Sequence, residues 1–104
     1  MEIKKKDWKL FMERVPEWQE KYMERLLKEY VAYLESGEPA STKFWGLEKR
    51  IKDDKRTLGV QLRLEKQNMD FDLARMVKDG VIGFKDLEGF SDEMIDRVLS
   101  LVNR

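Results

Sequence analysis

The chain has 104 residues, of which 41% are apolar and 40% charged, and its 21 basic residues balance its 21 acidic residues. This length suits one domain with its own core, and the absence of cysteine and histidine excludes a disulfide scaffold and any thiolate or imidazole chemistry. No apolar run approaches the ~20 residues of a membrane span, and charged residues follow Met1, so we expect a cytoplasmic protein with a single helical domain over residues 1–104.

The first predicted helix covers residues 7–15. Its apolar residues recur three and four positions apart: Trp8, Phe11, Met12 and Val15. This spacing places them on one helical face, and Asp7 immediately before them is a suitable N-cap. Because Pro16 has no N–H, we expect it to end or kink this helix and to occupy the first turn of the next one.

The second predicted helix covers residues 16–36 and ends before Gly37, since glycine adopts a positive φ readily. One apolar stripe repeats every four residues: Trp18, Tyr22, Leu26, Tyr30 and Leu34. Further apolar side chains flank this stripe: Met23, Leu27, Val31 and Tyr33. A helix with two adjacent apolar stripes often buries one within the chain and the other against a partner, so we expect a homodimer. A central core helix shows the same broad stripe, which leaves a monomer as the alternative.

The third predicted helix covers residues 40–56. Phe44, Leu47, Ile51 and Leu58 keep helical spacing on one side, and charged residues occupy the other side. These apolar residues are therefore expected to face inward. Trp45 lies beside their stripe and is expected to cover its edge.

Residues 57–67 carry two conflicting patterns. Leu58, Val60, Leu62 and Leu64 alternate strictly along the chain, which is typical of a strand, but some of them also fit a helical face with later residues. A lone strand has no partner elsewhere in this chain, and an unpaired strand is unstable in water. We therefore favour a short helix or an extended connector.

Two further helices are predicted over residues 68–79 and 91–103. Asn68 and Ser91 are suitable N-caps for them, and Gly80 is expected to end the earlier helix. Together these elements predict an all-α fold, a small bundle of four to five helices. Short loops between the early helices favour antiparallel neighbours.

The segment between these two helices resembles the second half of an EF-hand loop. It runs over Asp79–Leu87 and contains an Asp-Gly pair followed by a hydrophobic residue and an acid. A calcium loop also needs oxygen ligands at the positions that Arg75 and Val77 occupy here, and neither side chain can bind calcium. The segment is therefore predicted as a helix stop, a buried Ile82 and a single helical turn over residues 84–87.

The sequence predicts no catalytic, metal or cofactor site. Acidic pairs occur at three places: Asp53–Asp54, Asp70 with Asp72, and Asp92–Glu93. All are expected to lie in polar surroundings, where nothing raises the pKa of a carboxylate. The chain also has no glycine-rich phosphate loop, so we expect a non-enzymatic protein without metal or cofactor.

Basic residues are concentrated in two segments, which leaves a nucleic-acid-associated regulator as an alternative function. The candidate phosphate contacts are Lys4, Lys5, Lys6, Lys9, Lys49, Arg50, Lys52, Lys55 and Arg56. Most of them alternate with acids at the spacing of helical ion pairs, and the pI of about 6.4 is below the values usual for DNA-binding modules. A solvated helix surface is the better interpretation, and nucleic acid is the less favoured partner.

Aromatic residues are numerous for a chain of this length. Tyr33 and Trp45 lie at the margins of their helical stripes, where burial in the core is the commoner outcome and exposure at an interface the other. These observations predict a non-catalytic module for protein interaction or self-association. Tyr33 and Trp45 are its candidate interface residues.

Two segments resemble a known family: Ala40–Lys55, with the sequence ASTKFWGLEKRIKDDK, and Asp79–Asp92, with DGVI followed by DLEGFSD. They resemble a family of short uncharacterised bacterial proteins of similar length, and the likeness covers most of the chain. Some members carry the label of multidrug transporter, which does not fit a chain without a membrane span. The resemblance implies a bacterial cytoplasmic protein of unknown function and supplies no site residues.

Overall fold

The computed structural model describes all 104 residues and contains four α-helices and no strand, which confirms the all-α prediction. The helices are α1 (Lys5–Leu34), α2 (Ala40–Asp54), α3 (Met69–Lys78) and α4 (Asp92–Val102), with single 3-10 turns at Lys66–Asn68 and Phe84–Leu87. The molecule is elongated, with extents of 51 × 27 × 22 Å. Its radius of gyration is 16.3 Å, whereas ~13 Å is typical of a compact chain of this length.

One hydrophobic core joins the N-terminal half of α1 to α3 and α4. Its largest fully buried apolar side chains come from these three helices and the second 3-10 turn: Phe11, Met69, Leu73, Met76, Leu87, Met94 and Val98. Trp8 stacks on Phe11 with ring centroids 5.8 Å apart, and Trp18 contacts both Phe11 and Phe90 at 6.4 Å. The core therefore occupies one end of the elongated molecule.

The predicted helix end at Pro16 is wrong, because α1 continues through the proline as one helix of 30 residues. Pro16 is exposed, and the missing N–H removes one hydrogen bond, to the carbonyl of Met12. Val15 and Trp18 on either side of the proline are buried in the same core. This shared packing stabilises the helix across the proline.

Asp7 is not the predicted N-cap, since α1 begins two residues earlier, at Lys5. Its buried carboxylate instead accepts two hydrogen bonds from Ser91, from the backbone N–H at 2.8 Å and from the hydroxyl at 2.6 Å. Ser91 is the N-cap of α4, as predicted, and its Oγ accepts from the N–H of Met94 at 3.3 Å. The carboxylate therefore stands at the positive end of the α4 dipole, where an anion is favoured.

Arginine side chains of α1 hold the loops around α3 and α4 through their backbone carbonyls. Arg14 donates from Nη1 to the carbonyl oxygens of Asp86 at 3.0 Å and Glu88 at 2.5 Å. Arg25 donates from Nη2 to the carbonyl of Gly80 at 2.6 Å. These carbonyls lie outside the α-helices, in loops or in the second 3-10 turn, where the arginines provide hydrogen-bond donors.

Residues 57–60 form a bend and turns and residues 61–65 have no regular secondary structure, which agrees with the connector prediction and excludes a strand. Gln19 donates from Nε2 to the carbonyl of Leu58 at 3.0 Å, and the Leu58 side chain is buried. Gly59 lies so close to the ring of Tyr22 that a Cβ at this position would overlap it. The connector is thereby fixed against the middle of α1.

The end of α3 agrees with the prediction. Gly80 has a φ of +76°, and its N–H donates to the carbonyl of Val77 at 3.1 Å while the N–H of Val81 donates to Met76 at 2.9 Å. These two bonds form a Schellman motif, which requires the left-handed conformation that glycine adopts without strain. Ile82 follows as a buried side chain, as predicted.

Candidate functional site

The C-terminal half of α1 and the whole of α2 form a helical hairpin outside the main core. No residue of α2 is buried, so the prediction that Phe44, Leu47 and Ile51 face a core is wrong. α3 and α4 already cover the N-terminal half of α1, and the main neighbour of α2 is α1. A single neighbouring helix covers only part of an apolar stripe, and the rest meets solvent.

Tyr33 and Gly46 set the close approach of the two hairpin helices. The ring of Tyr33 lies directly against Gly46, where a Cβ would overlap the hydroxyl. The hydroxyl donates to the backbone carbonyl of Thr42 at 3.0 Å. Tyr33, a predicted interface residue, is thus half-buried between the helices.

A polar network joins α1 and α2 one turn further along. The hydroxyl of Tyr30 donates to Oδ2 of Asp54, and Arg50 forms ion pairs with Glu29 at 3.2 Å and Asp54 at 3.6 Å. The Arg50 guanidinium also lies 5.4 Å from the centroid of the Tyr30 ring. Burial and the Asp54 carboxylate raise the pKa of Tyr30 to about 12, and the hydrogen bond to Glu29 raises the pKa of Arg50. Tyr30 therefore stays neutral and keeps its hydrogen bond across the physiological range.

An apolar groove of about 280 Å³ runs between the helices on one side of the hairpin. Its lining residues are Met23, Leu26, Leu27, Tyr30, Ile51, Asp54, Lys55 and Val60. Leu26 is buried, whereas Leu27 and Ile51 are exposed. The groove thus has a closed floor and two open apolar rims.

The apolar surface continues from the groove toward the tip of the hairpin. Residues three and four positions apart on each helix point to this side: Met23, Leu27, Val31 and Leu34 of α1, and Phe44, Leu47 and Ile51 of α2. These residues are named the hairpin face. Phe44 is 65% exposed and Leu27 is 60% exposed. Contiguous exposed apolar surface of this kind is typical of a protein interface.

Trp45, the other predicted interface residue, lies at the margin of the hairpin face. Its ring meets that of Phe44 edge to face, with centroids 5.0 Å apart. It is 63% exposed, so the expectation that it covers the edge of a buried stripe is wrong. Trp45 therefore adjoins the exposed apolar surface, whereas Tyr33 lies between the helices.

The candidate phosphate contacts do not come together. They form two groups: Lys4, Lys5, Lys6 and Lys9 at the start of α1, and Lys49, Arg50, Lys52, Lys55 and Arg56 on and just after α2. Because Arg50 pairs with Glu29, α2 lies beside the far half of α1, more than ~20 Å along the helix axis from the first group. Lys4 is paired with Glu93 at 3.0 Å. A single basic surface is therefore absent.

The acidic residues of α3 depart from the expectation of polar surroundings. Asp70 is buried and accepts a hydrogen bond from Nε of Arg97 at 3.1 Å. Asp72 has an Oδ2 atom that is buried without a hydrogen-bond partner, and burial raises the pKa of Asp72 to about 6. The prediction that nothing raises a carboxylate pKa in this chain is therefore wrong. No group of three or more acidic side chains is placed to hold a metal ion.

No helix of the protein combines the length and the apolar character needed to cross a bilayer. Comparison of the chain with protein-family models, with curated proteins and with solved structures gives no match. The resemblance to short bacterial proteins therefore stays an expectation from the sequence.

Proposed function

We propose that the protein is a non-catalytic interaction module that binds another protein chain through the hairpin face. The observation that carries this proposal is the exposure of large apolar side chains, above all Phe44 and Leu27, on two helices that already pack against each other. Full burial of one such side chain stabilises an assembly by ~1.5–3 kcal/mol. A partner that covers several of them therefore gains substantial binding free energy.

The polar contacts inside the hairpin support the same function. Tyr33 is bonded to Thr42, and Tyr30 to Asp54, so the two helices are held in fixed register without the help of the hairpin face. The face is therefore formed before a partner arrives. A preformed surface loses little conformational entropy on binding, which favours affinity.

Site-specific photo-crosslinking in bacterial cells tests the proposal. A benzophenone amino acid is installed in place of Phe44, on the hairpin face, and, as a matched control, in place of Lys49, on the far side of α2. We expect discrete protein adducts from position 44 and none from position 49. Adducts of equal yield at both positions, or no adduct at position 44, would contradict an interaction through the hairpin face.

The nucleic-acid alternative has a separate test, a gel-shift assay with random duplex DNA at low salt. Binding to phosphates weakens steeply as salt rises, whereas an apolar interface is little affected by salt. We expect no shift, because the basic residues form two separate groups. Micromolar binding that disappears near physiological salt would favour the alternative.

A further inference from the structure

We infer that the hairpin face binds the hairpin face of a second copy of this chain, giving an antiparallel four-helix bundle around a two-fold axis. This inference rests on the proposed function and names its partner. The charges that border the hairpin face decide how the two faces match.

The outer edges of the hairpin face carry opposite charge. The α1 edge is formed by Glu24, Lys28 and Glu35, and the α2 edge by Glu48, Lys52 and Lys55. The α1 edge therefore has an excess of acid and the α2 edge an excess of base. Within the chain, one ion pair involves these six residues, between Lys52 and Glu48 at 3.9 Å. The remaining edge charges are free to pair with another chain.

Two symmetric arrangements of the faces are available. If the two-fold axis crosses the helices, α1 lies on α1 of the copy and each edge meets an edge whose net charge has the same sign. If the axis runs parallel to the helices, α1 lies on α2 of the copy and edges of opposite charge meet. Like charges at an interface are unfavourable and opposite charges fix its register, so the second arrangement is selected. In both arrangements all neighbouring helices are antiparallel, as in the common four-helix bundle, so the edge charges distinguish them.

This arrangement also fixes which residues meet. Rotation about an axis parallel to the helices does not change the position of a residue along the helix direction. Within each chain, Glu29 lies beside Arg50. Because both helices rise equally per residue, Lys55 lies level with Glu24, and in the dimer it meets Glu24 of the other copy. By the same register, Lys28 lies level with Lys52 of the other copy, and this is the one place where like charges face each other.

The main core does not obstruct the dimer. α3 and α4 pack on the side of α1 that carries Phe11, Val15 and Trp18. Leu27 and its neighbours lie on a different side of α1, because successive residues of a helix are rotated by about 100°. The hairpin face is ~17 Å long, from Met23 to Leu34 of α1, and ~20 Å wide, from two helix widths. A contact of this size stands at the small end of specific interfaces. We therefore expect a dimer that dissociates on dilution.

Sedimentation equilibrium over a range from low to high micromolar protein tests the inference. We expect the mass to rise with concentration from 12.5 kDa toward twice that value. Leu27→Glu should keep the chain monomeric and Lys49→Glu, on the far side of α2, should leave the association unchanged, while circular dichroism confirms that both variants are folded. A wild-type mass that stays at the mass of one chain overturns the inference. In that case, a crosslink from the benzophenone at position 44 to a different protein would still support the proposed function.

A charge exchange tests the arrangement of the helices. Glu24→Lys and Lys55→Glu should each raise the dimer Kd about tenfold, since each replaces an attraction by a repulsion at two symmetric places. The double variant restores the opposite charges and should return the Kd to within about threefold of wild type. A double variant that binds as weakly as the two single effects combined would overturn the pairing of α1 with α2.

Discussion

The C-terminal half of α1, residues 20–34, has nine apolar residues against six in the N-terminal half, residues 5–19, yet it buries fewer of them. The N-terminal half buries Phe11, Val15 and Trp18 against α3 and α4, whereas the C-terminal half has only Leu26 buried and faces α2. This difference in burial shows that helical periodicity predicts the position of an apolar stripe but does not predict how much of the stripe another element covers. Coverage depends on the number of neighbouring helices, and the far half of α1 has too few of them.

The largest expected difference between the two regions comes from matched phenylalanines. Phe11→Ala removes a fully buried ring and should lower the free energy of unfolding by ~3–5 kcal/mol through lost burial and a residual cavity. Phe44→Ala removes an exposed ring, and below the dimer Kd it should cost less than ~0.5 kcal/mol. Urea denaturation at low protein concentration measures both, and equal shifts of the midpoint would mean that the regions do not differ in packing.

The next largest effect is expected at the buried polar contact of the core. Asp7→Ala leaves the N–H and hydroxyl of Ser91 without their acceptor, so we expect a loss of ~2–4 kcal/mol in the free energy of unfolding. Asp92→Ala, at an exposed position in the first turn of α4, is the control and should cost ~0.5 kcal/mol. Chemical denaturation compares them, and a smaller loss at Asp7 than at Asp92 would contradict the role of this carboxylate.

Within the hairpin, two adjacent leucines distinguish the buried floor of the groove from the exposed hairpin face. Leu26→Ala should lower the free energy of unfolding by ~2–3 kcal/mol, because Leu26 is buried between the helices but outside the main core. Leu27→Ala should cost less than ~0.5 kcal/mol in the monomer. Thermal and urea denaturation of the two variants would sharpen the comparison, and similar losses would show that the helical phase of the hairpin is wrong.

The smallest expected effect is a pH dependence from Asp72 in α3. Its pKa of about 6 exceeds the ordinary value of ~3.9, so the folded state holds the proton more tightly than the unfolded chain does. The contribution of Asp72 to the free energy of unfolding should therefore fall as pH rises from about 4 to about 6, whereas a carboxyl with a lowered pKa, such as Glu93, contributes in the opposite direction. Because solvent still screens the half-buried carboxyl, we expect a fall of about 1 kcal/mol.

Asp72→Asn should remove this fall and make the variant more stable than wild type above pH 6. Asp96→Asn, at an exposed position without a hydrogen-bond partner, serves as the control and should keep the wild-type profile. Denaturation midpoints measured across this range would show the difference. A variant that keeps the slope would place its origin elsewhere in the chain.

Local signals in the sequence predicted most of the helices. The N-cap Ser91 and the stop at Gly80 act through bonds to near neighbours, so the chain alone contains the information. The predicted end at Pro16 failed because packing on both sides of the proline outweighs one lost hydrogen bond. Asp7 was misread for a similar reason, since its partner is remote in sequence and no local pattern reveals it.

The candidate site was predicted in part. Tyr33 and Trp45 were identified as interface candidates from their marginal positions, and the structure exposes Trp45 while it uses Tyr33 between the helices. The exposure of Phe44 was missed because its spacing is the same whether its stripe meets a core or water.

The bonds between Asp7 and Ser91 join residues 84 positions apart, whereas Tyr33 and Thr42 are nine apart. During synthesis at ~5–20 residues per second, α2 leaves the ribosome several seconds before α4 does. Contacts between near neighbours form faster than remote ones, so the hairpin contacts are available to the chain before α4 can complete the main core. The proposed pairing of hairpin faces uses no residue of α3 or α4, so neighbouring nascent chains on one messenger RNA need only their hairpins to meet in this way.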